Sequence, residues 1–269
     1  MGFYGRDLAY IHDAGFGEFA ARAAPEIVRR LRAGGIRRGR VVEFGCGAGT
    51  VARALTDAGY EVLGIDISAA MIRMARARAP RARFKVATLA TARVPSCDAI
   101  VAVGEVVSYV PRGSTSRRAH QAGLMAFLRR ASSALRPGGL LLFDFIQSVD
   151  GRTYPRKRRL GKGWAIAVRA TAGRNGATLT REIETVRDSR RGRTRSTETH
   201  RLRVIPRAEM RQLLTKAGFA ATFRRRIGRV PLLRSTLAVE ASPRKPEKVG
   251  LTPDQPFPRS TRQRVRSNR

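Results

Sequence analysis

Two rhythms of apolar residues alternate along the chain. Short runs rich in β-branched and other apolar residues predict buried strands near 40–44, 61–66, 83–87, 97–103 and 140–145. Between them, apolar positions recur at helical spacing. Val51, Ala52 and Leu55 open one helix, 69–79 another, and Leu124, Phe127, Leu128, Ala131 and Leu135 mark a third over 116–135. An N-terminal amphipathic segment, 3–38, carries Phe16, Phe19, Ala20 and Ala23, then Ile27, Val28 and Leu31, with Pro25 suited to a first turn. A helix with a proline start and a glycine stop is expected at 206–219, followed by an antiparallel pair at 220–227 and 236–241. Strands that alternate with helices require right-handed crossovers, so the fold class is α/β with a mostly parallel sheet.

The rhythm changes at residue 147. Residues 164–169, 178–186 and 197–204 alternate with period two, and turn-like stretches at 173–176 and 188–192 separate them. They predict an antiparallel β insertion over 147–205, after strand five, lying on the carboxyl edge of the sheet and covering the substrate side. Tyr154, Trp164 and His200 are its candidate pocket residues. One domain is therefore expected over 1–241. Residues 242–269 are rich in Pro, Arg and Lys, bury almost nothing and are expected to be a disordered basic tail.

The most informative stretch is Val41-Val42-Glu43-Phe44-Gly45-Cys46-Gly47-Ala48-Gly49-Thr50, which reads as a strand, a tight turn and a helix start. Glycines at alternate positions allow a ligand close to the main chain. A dinucleotide fingerprint places its third glycine one residue later and would set a pyrophosphate beside Glu43, a repulsive neighbour. A cationic or amine-bearing ligand fits better. Asp66 ends the second strand about 20 residues beyond the turn, where a carboxylate can accept both hydroxyls of a ribose. Ser68 is placed to cap the next helix, which brings Met71 towards the same pocket.

The acid-x-Gly-x-Gly-x-Gly arrangement from Glu43 to Gly49 resembles motif I of the class I S-adenosylmethionine-dependent methyltransferases. Asp66 and the turn Leu135-Arg136-Pro137-Gly138-Gly139-Leu140 match the same family, and the resemblance covers residues 15–241. It implies a Rossmann-like, seven-stranded, mostly parallel sheet flanked by helices, and S-adenosyl-L-methionine as cofactor. The implied cofactor-binding residues are Glu43, Gly45, Cys46, Gly47, Gly49, Asp66, Ile67, Met71, Thr88, Leu89 and Gly104, with Ile67 against an adenine face. The chain departs from the pattern at Thr88, where related enzymes place Asp or Asn to accept from the adenine amino group. In such families the N-terminal segment folds over the cofactor.

The strand end at Gly104-Glu105-Val106-Val107-Ser108-Tyr109 resembles motif IV of small-molecule methyltransferases. It lacks the Pro-Pro of nucleic-acid amino-group methyltransferases. Cys97 sits at the wrong end of its strand to attack a pyrimidine. A small-molecule methyl acceptor is expected, with Glu105, Tyr109 and His12 as candidate catalytic groups and His200 beside them. His120, near a helix start, is expected to be exposed. A base is required only where the nucleophile must lose a proton.

The formal charge of +34, nearly all from arginine, predicts non-specific attraction to polyanions. It reads equally as a residue-usage bias, because arginine is spread over the whole chain. The alternatives are an RNA or other polyanion methyltransferase guided by the basic surface and tail, and a nucleic-acid-binding protein without turnover. Cys46 and Cys97 cannot form a zinc site alone, no metal is expected, and both read as small buried residues. No apolar run reaches the roughly 20 residues of a membrane span, and no signal peptide is legible, so a cytoplasmic protein is expected.

Overall fold

The computed structural model describes residues 3–110, 116–149, 153–189, 192–227, 229–232 and 236–243. The first half of the chain runs α1 (Arg6–Ala33), β1 (Gly39–Phe44), α2 (Thr50–Asp57), β2 (Tyr60–Asp66), α3 (Ala69–Arg78), β3 (Arg83–Val86) and β4 (Cys97–Ala102). A 3-10 turn, Val106–Ser108, precedes α4 (Arg117–Ala134) and β5 (Leu135–Ile146). Four strands follow, β6 (Thr153–Gly161), β7 (Trp164–Ala172), β8 (Thr178–Ser189) and β9 (Gly192–Arg203). The chain then forms α5 (Arg207–Lys216), β10 (Phe219–Arg224), β11 (Arg226–Ile227), β12 (Val230–Pro231) and β13 (Thr236–Pro243).

Seven strands form one sheet in the order β10-β13-β5-β4-β1-β2-β3. Strand β1 pairs in parallel with β2 and β4, and only β13 runs antiparallel, between β5 and β10. Because β1 sits centrally, the crossovers diverge on either side of it and leave a crevice at the carboxyl ends of β1 and β4. Alternate residues of each strand face opposite layers. Val42, Phe44, Ile100 and Phe143 pack with Phe127, Leu128, Met210 and Leu213 on one side. Val41, Val62 and Val101 pack with Ile27, Leu31, Val51 and Leu55 on the other. Each such side chain contributes about 1.5–3 kcal/mol by its burial.

Three expectations are corrected. Pro25 lies inside the 28-residue α1, exposed, rather than in a first turn. Helix α1 tolerates the lost hydrogen bond because both its ends are packed: Ile27 and Leu31 on β1 and α2, Leu8 and Ile11 on Ile166 and Ile183. The Arg136-Pro137-Gly138-Gly139 turn is drawn into β5, where the pairing with β4 shifts register between Cys97 and Ala99. Residues 226 and 227 leave the closing pair for a small hairpin with 230 and 231.

The inserted sheet has the order β6-β7-β8-β9, all antiparallel. Strand β6 was not legible from pattern. Its Arg156-Lys157-Arg158-Arg159 run has no apolar alternation, which an edge strand does not require, and such charge discourages further pairing. The insertion joins the carboxyl end of β4 through a bridge between Tyr109 and Leu202 and through Val110 N–H donating to the Arg201 carbonyl at 2.9 Å. Strand β13 extends to Pro243, past the expected domain end, and the basic tail from 244 onward lies outside the described residues. Among the described residues, no helix is long and apolar enough to cross a membrane.

Candidate active site

Strand β1 delivers Glu43 to the crevice and turns at once. Gly45 and Gly47 both have positive φ, +65° and +51°. A side chain on Gly45 would meet Val106 at 2.3 Å, whereas one on Gly47 would meet nothing within 4 Å. Gly45 thus lets two loops touch, and Gly47 presents bare backbone to open space. Gly49 stands apart: it precedes α2 in a left-handed conformation and faces Ala75, where a Cβ would come to 2.9 Å. Its service is helix packing.

Glu43 is 4% exposed, and its Oε2 is buried without a hydrogen-bond partner. Burial, then the charge of Asp66, pushes its carboxyl up to about 8. Asp66 accepts from Gly47 N–H at 3.0 Å and from Ser68 N–H at 2.8 Å. Burial still raises its pKa, against those two amides and that of Ile67. Ser68 caps α3, accepting from Met71 N–H, and donates to the Tyr4 carbonyl at 2.7 Å. Ile67 is 43% exposed although apolar. Thr88 and Leu89 follow β3, but their acceptors are engaged: the Thr88 hydroxyl by Thr91, the Leu89 carbonyl by Arg130 at 2.6 Å.

At the end of β4, Asp144 Oδ1 on β5 accepts from Gly104 N–H at 2.8 Å and Glu105 N–H at 2.7 Å. Glu105 has φ +62°, a conformation that costs a non-glycine residue on the order of 1–3 kcal/mol and persists only where its neighbours hold it. Its carboxylate pairs with Arg181 of β8 at 2.8 Å and accepts from the Thr236 hydroxyl at 3.3 Å. Burial pushes the Asp144 carboxyl up to about 7.

A roof closes this end. Tyr4 and Tyr109 share a hydrogen bond of 3.0 Å between their hydroxyls, and burial raises both pKa values, so both are neutral. His12 lies edge-on to Tyr4, with ring centroids 5.1 Å apart, and burial lowers its pKa. His120, expected to be exposed, is 8% exposed, with its pKa pushed down to about 4 by burial. It continues the Leu124–Phe127–Ala131 stripe of α4 one turn earlier, a signal the sequence did hold. Below the roof lies a cavity of about 770 Å³.

The cavity gathers most of the residues singled out from sequence: Glu43, Gly45, Cys46, Gly47, Asp66, Ile67, Met71, Thr88, Leu89 and Gly104, with Glu105, Tyr109 and His12. Tyr154, Trp164, His200 and Gly49 do not line it. Trp164 packs against Gly15 of α1, and Tyr154 packs with Ile146 and Leu202. His200 Nε2–H donates to Glu198 at 3.0 Å, and Glu198 also accepts from Tyr4 N–H and Gly5 N–H at 2.8 and 2.7 Å. This pair fastens the N-terminal segment to the inserted sheet. Sequence reasoning missed Asp144 and Arg181. The signal for Arg181 was its place between Leu179 and Ile183 on the inward face of a period-two strand.

The model of the family described as "Methyltransferase domain" matches residues 16–222. The chain belongs to the methyltransferase family. It is a member of the class I S-adenosylmethionine-dependent methyltransferases, as the glycine turn and the strand order indicated. A trans-aconitate 2-methyltransferase of Methylobacterium radiotolerans is 30% identical over 172 residues, 61% of this chain and 60% of that protein. A ubiquinone biosynthesis O-methyltransferase of Methylobacterium sp. is 34% identical over 100 residues, 37% of this chain and 38% of that protein. The chain therefore spans less than two thirds of either relative. Its fold also matches an S-adenosylmethionine-dependent methyltransferase from Clostridium acetobutylicum, with a TM-score of 0.73 and 12% identity over 88% of this chain and 98% of that one.

The residues of the crevice fit the family's cofactor. A buried, unpartnered Glu43 oxygen suits an ammonium, the exposed Ile67 beside Asp66 suits a flat apolar ring, and Gly47 leaves room against the backbone. Both cysteines are free and buried, and burial raises both thiol pKa values, so neither supplies a thiolate.

Proposed function

We propose that the protein transfers a methyl group from S-adenosylmethionine to a small-molecule acceptor held under the N-terminal roof. The observation that carries this reading is the closure of the acceptor end. Phe3 and Tyr4 line it from above, Glu198 fastens that segment to β9, and Arg181 lines it from the inserted sheet. A cavity of about 770 Å³ beside the end of β4 suits a small molecule. The curated relatives' names, trans-aconitate and ubiquinone methyltransferases, point to acceptors of that size.

In this reading Glu43 and the Gly45–Gly47 backbone hold the amino-acid end of the cofactor, Asp66 the ribose, and Ile67, Met71 and Leu89 the adenine. When bound, the cofactor supplies a methyl group on a sulfonium, whose departure needs no proton. The chain's own task is to align the acceptor and exclude water. His12 and His120, kept neutral by burial, are the groups able to take a proton from an acceptor that carries one. Glu105, already paired with Arg181 and Thr236, serves as an orienting group instead.

Labelled S-adenosylmethionine incubated with the purified protein and a cell extract tests the reading. Label in the dialysable fraction supports it, and label confined to RNA or protein favours a polyanion substrate.

A further inference from the structure

We propose that Arg181 anchors a carboxylate on the methyl acceptor. The proposal rests on the small-molecule reading above and names the chemical class of that molecule.

Arg181 is the one described residue of the inserted sheet that lines the cavity. Its side chain is 24% exposed, and that exposure opens into the cavity. Glu105 occupies one terminal nitrogen of the guanidinium, at 2.8 Å. A guanidinium has five N–H donors in a planar fork, so donors remain. Tyr109 takes a further hydrogen bond from the guanidinium, and no Arg181 nitrogen is buried without a partner, so the partly exposed fork keeps an edge towards the cavity. The hydroxyls beside it add to the excess. Tyr4 and Tyr109 share one hydrogen bond, which leaves one O–H proton free to donate.

Acceptors are in shorter supply at this end. Both Glu105 oxygens are engaged, one by Arg181 and one by Thr236. Asp144 gives its Oδ1 to the amides of Gly104 and Glu105. An ammonium placed here would face the Arg181 charge. A carboxylate would match the open edge of the fork in one plane and take a tyrosine proton as well, the geometry in which arginine is strongest. The ion pair with Glu105 keeps the guanidinium in place before a ligand arrives. The inserted sheet thereby contributes specificity and the main sheet the cofactor site.

The test uses full-length protein saturated with S-adenosylhomocysteine and isothermal titration with four probes. Benzoate and trans-aconitate are the carboxylates, and benzamide and the trimethyl ester of trans-aconitate are their uncharged counterparts. Each carboxylate is expected to bind at least about tenfold tighter than its counterpart. Arg181→Gln is expected to abolish that preference with S-adenosylhomocysteine affinity unchanged. Glu105→Gln is expected to raise carboxylate affinity, because it releases the guanidinium from its partner. If Arg181 only props Glu105, both substitutions weaken all four probes alike, which overturns the proposal. Absent carboxylate binding, or equal binding of carboxylates and counterparts, also overturns it. If Arg181→Gln does not fold, Arg181→Lys is read in its place. It keeps the charge without the fork and should lower carboxylate affinity about threefold or more, and an unchanged affinity overturns the anchor. Failure of the wild type to bind S-adenosylhomocysteine shows in the first titration and ends both readings. Methylation of a small neutral or cationic molecule without carboxylate binding ends the anchor alone.

Discussion

The backbone N–H of Gly47 donates to Oδ2 of Asp66 at 3.0 Å, so the glycine turn after β1 and the acid that ends β2 form one hydrogen-bonded unit. Asp66 also holds Ser68 N–H through its other oxygen. Replacing it loosens the turn and, in the proposed cofactor site, removes the acceptor for the ribose. Asp66→Ala is expected to weaken S-adenosylhomocysteine binding by about 2–3 kcal/mol, the scale of hydrogen bonds to a charged group. Calorimetric titration checks this, and an unchanged Kd would remove Asp66 from the cofactor site.

Three buried carboxyls set a pH dependence. Glu43 is pushed to about 8 and Asp144 to about 7, and Asp66 is also raised, in each case chiefly by burial. The folded protein therefore holds protons that the unfolded chain releases, and ionising these groups opposes folding. Their contribution is present below the ordinary carboxyl range and is lost as pH rises through 7 to 8. The cofactor-free protein should melt at lower temperature at pH 8 than at pH 6. Each fully shifted group contributes up to about 1.4 kcal/mol per pH unit. Glu43→Gln should flatten the profile, and a melting temperature that rises over this interval in both proteins would contradict the burial of these charges.

Glu198 receives the amides of Tyr4 and Gly5 in the N-terminal segment. Glu198→Ala leaves them without their charged acceptor and should cost about 1.5–3 kcal/mol in urea unfolding. The cut sites of a protease should shift to the first residues of α1. Unaltered proteolysis and stability would mean that the roof is held by its other contacts, the aromatic ones of Phe3 and Tyr4 and the hydrogen bonds of Tyr4 to Ser68 and Tyr109.

Gly15 leaves room for the chain's only tryptophan. A Cβ there would lie 2.7 Å from the Trp164 ring. Gly15→Ala should force the indole aside, at about 1–3 kcal/mol for overpacking offset in part by helix propensity, with a shift in tryptophan emission. Trp164→Phe should recover most of that loss in the double variant. Additive losses would place the two residues out of contact.

Much of the fold was legible because it rests on neighbours in sequence. The Val41–Phe44 run, the glycine turn and the Leu124–Ala131 stripe declare a strand, a turn and a helix by local spacing, and most of the residues chosen for the cofactor side line one cavity. Strand β6 was not legible, because an edge strand of arginines needs no apolar face. His120 was misjudged because the stripe was begun at Leu124, one turn too late.

The amino-acid sequence by itself determined most strands and helices of the main sheet, the glycine turn and the place of Asp66 at the end of β2, since torsional preference and periodicity act over a few residues. Only the tertiary structure decided which polar groups meet at the acceptor end. Tyr4 and Glu198 are 194 residues apart in the chain, and Arg181 reaches Glu105 only because the inserted sheet folds back over β4. Such convergence depends on how separately formed layers pack, and no local rhythm encodes the distance between them.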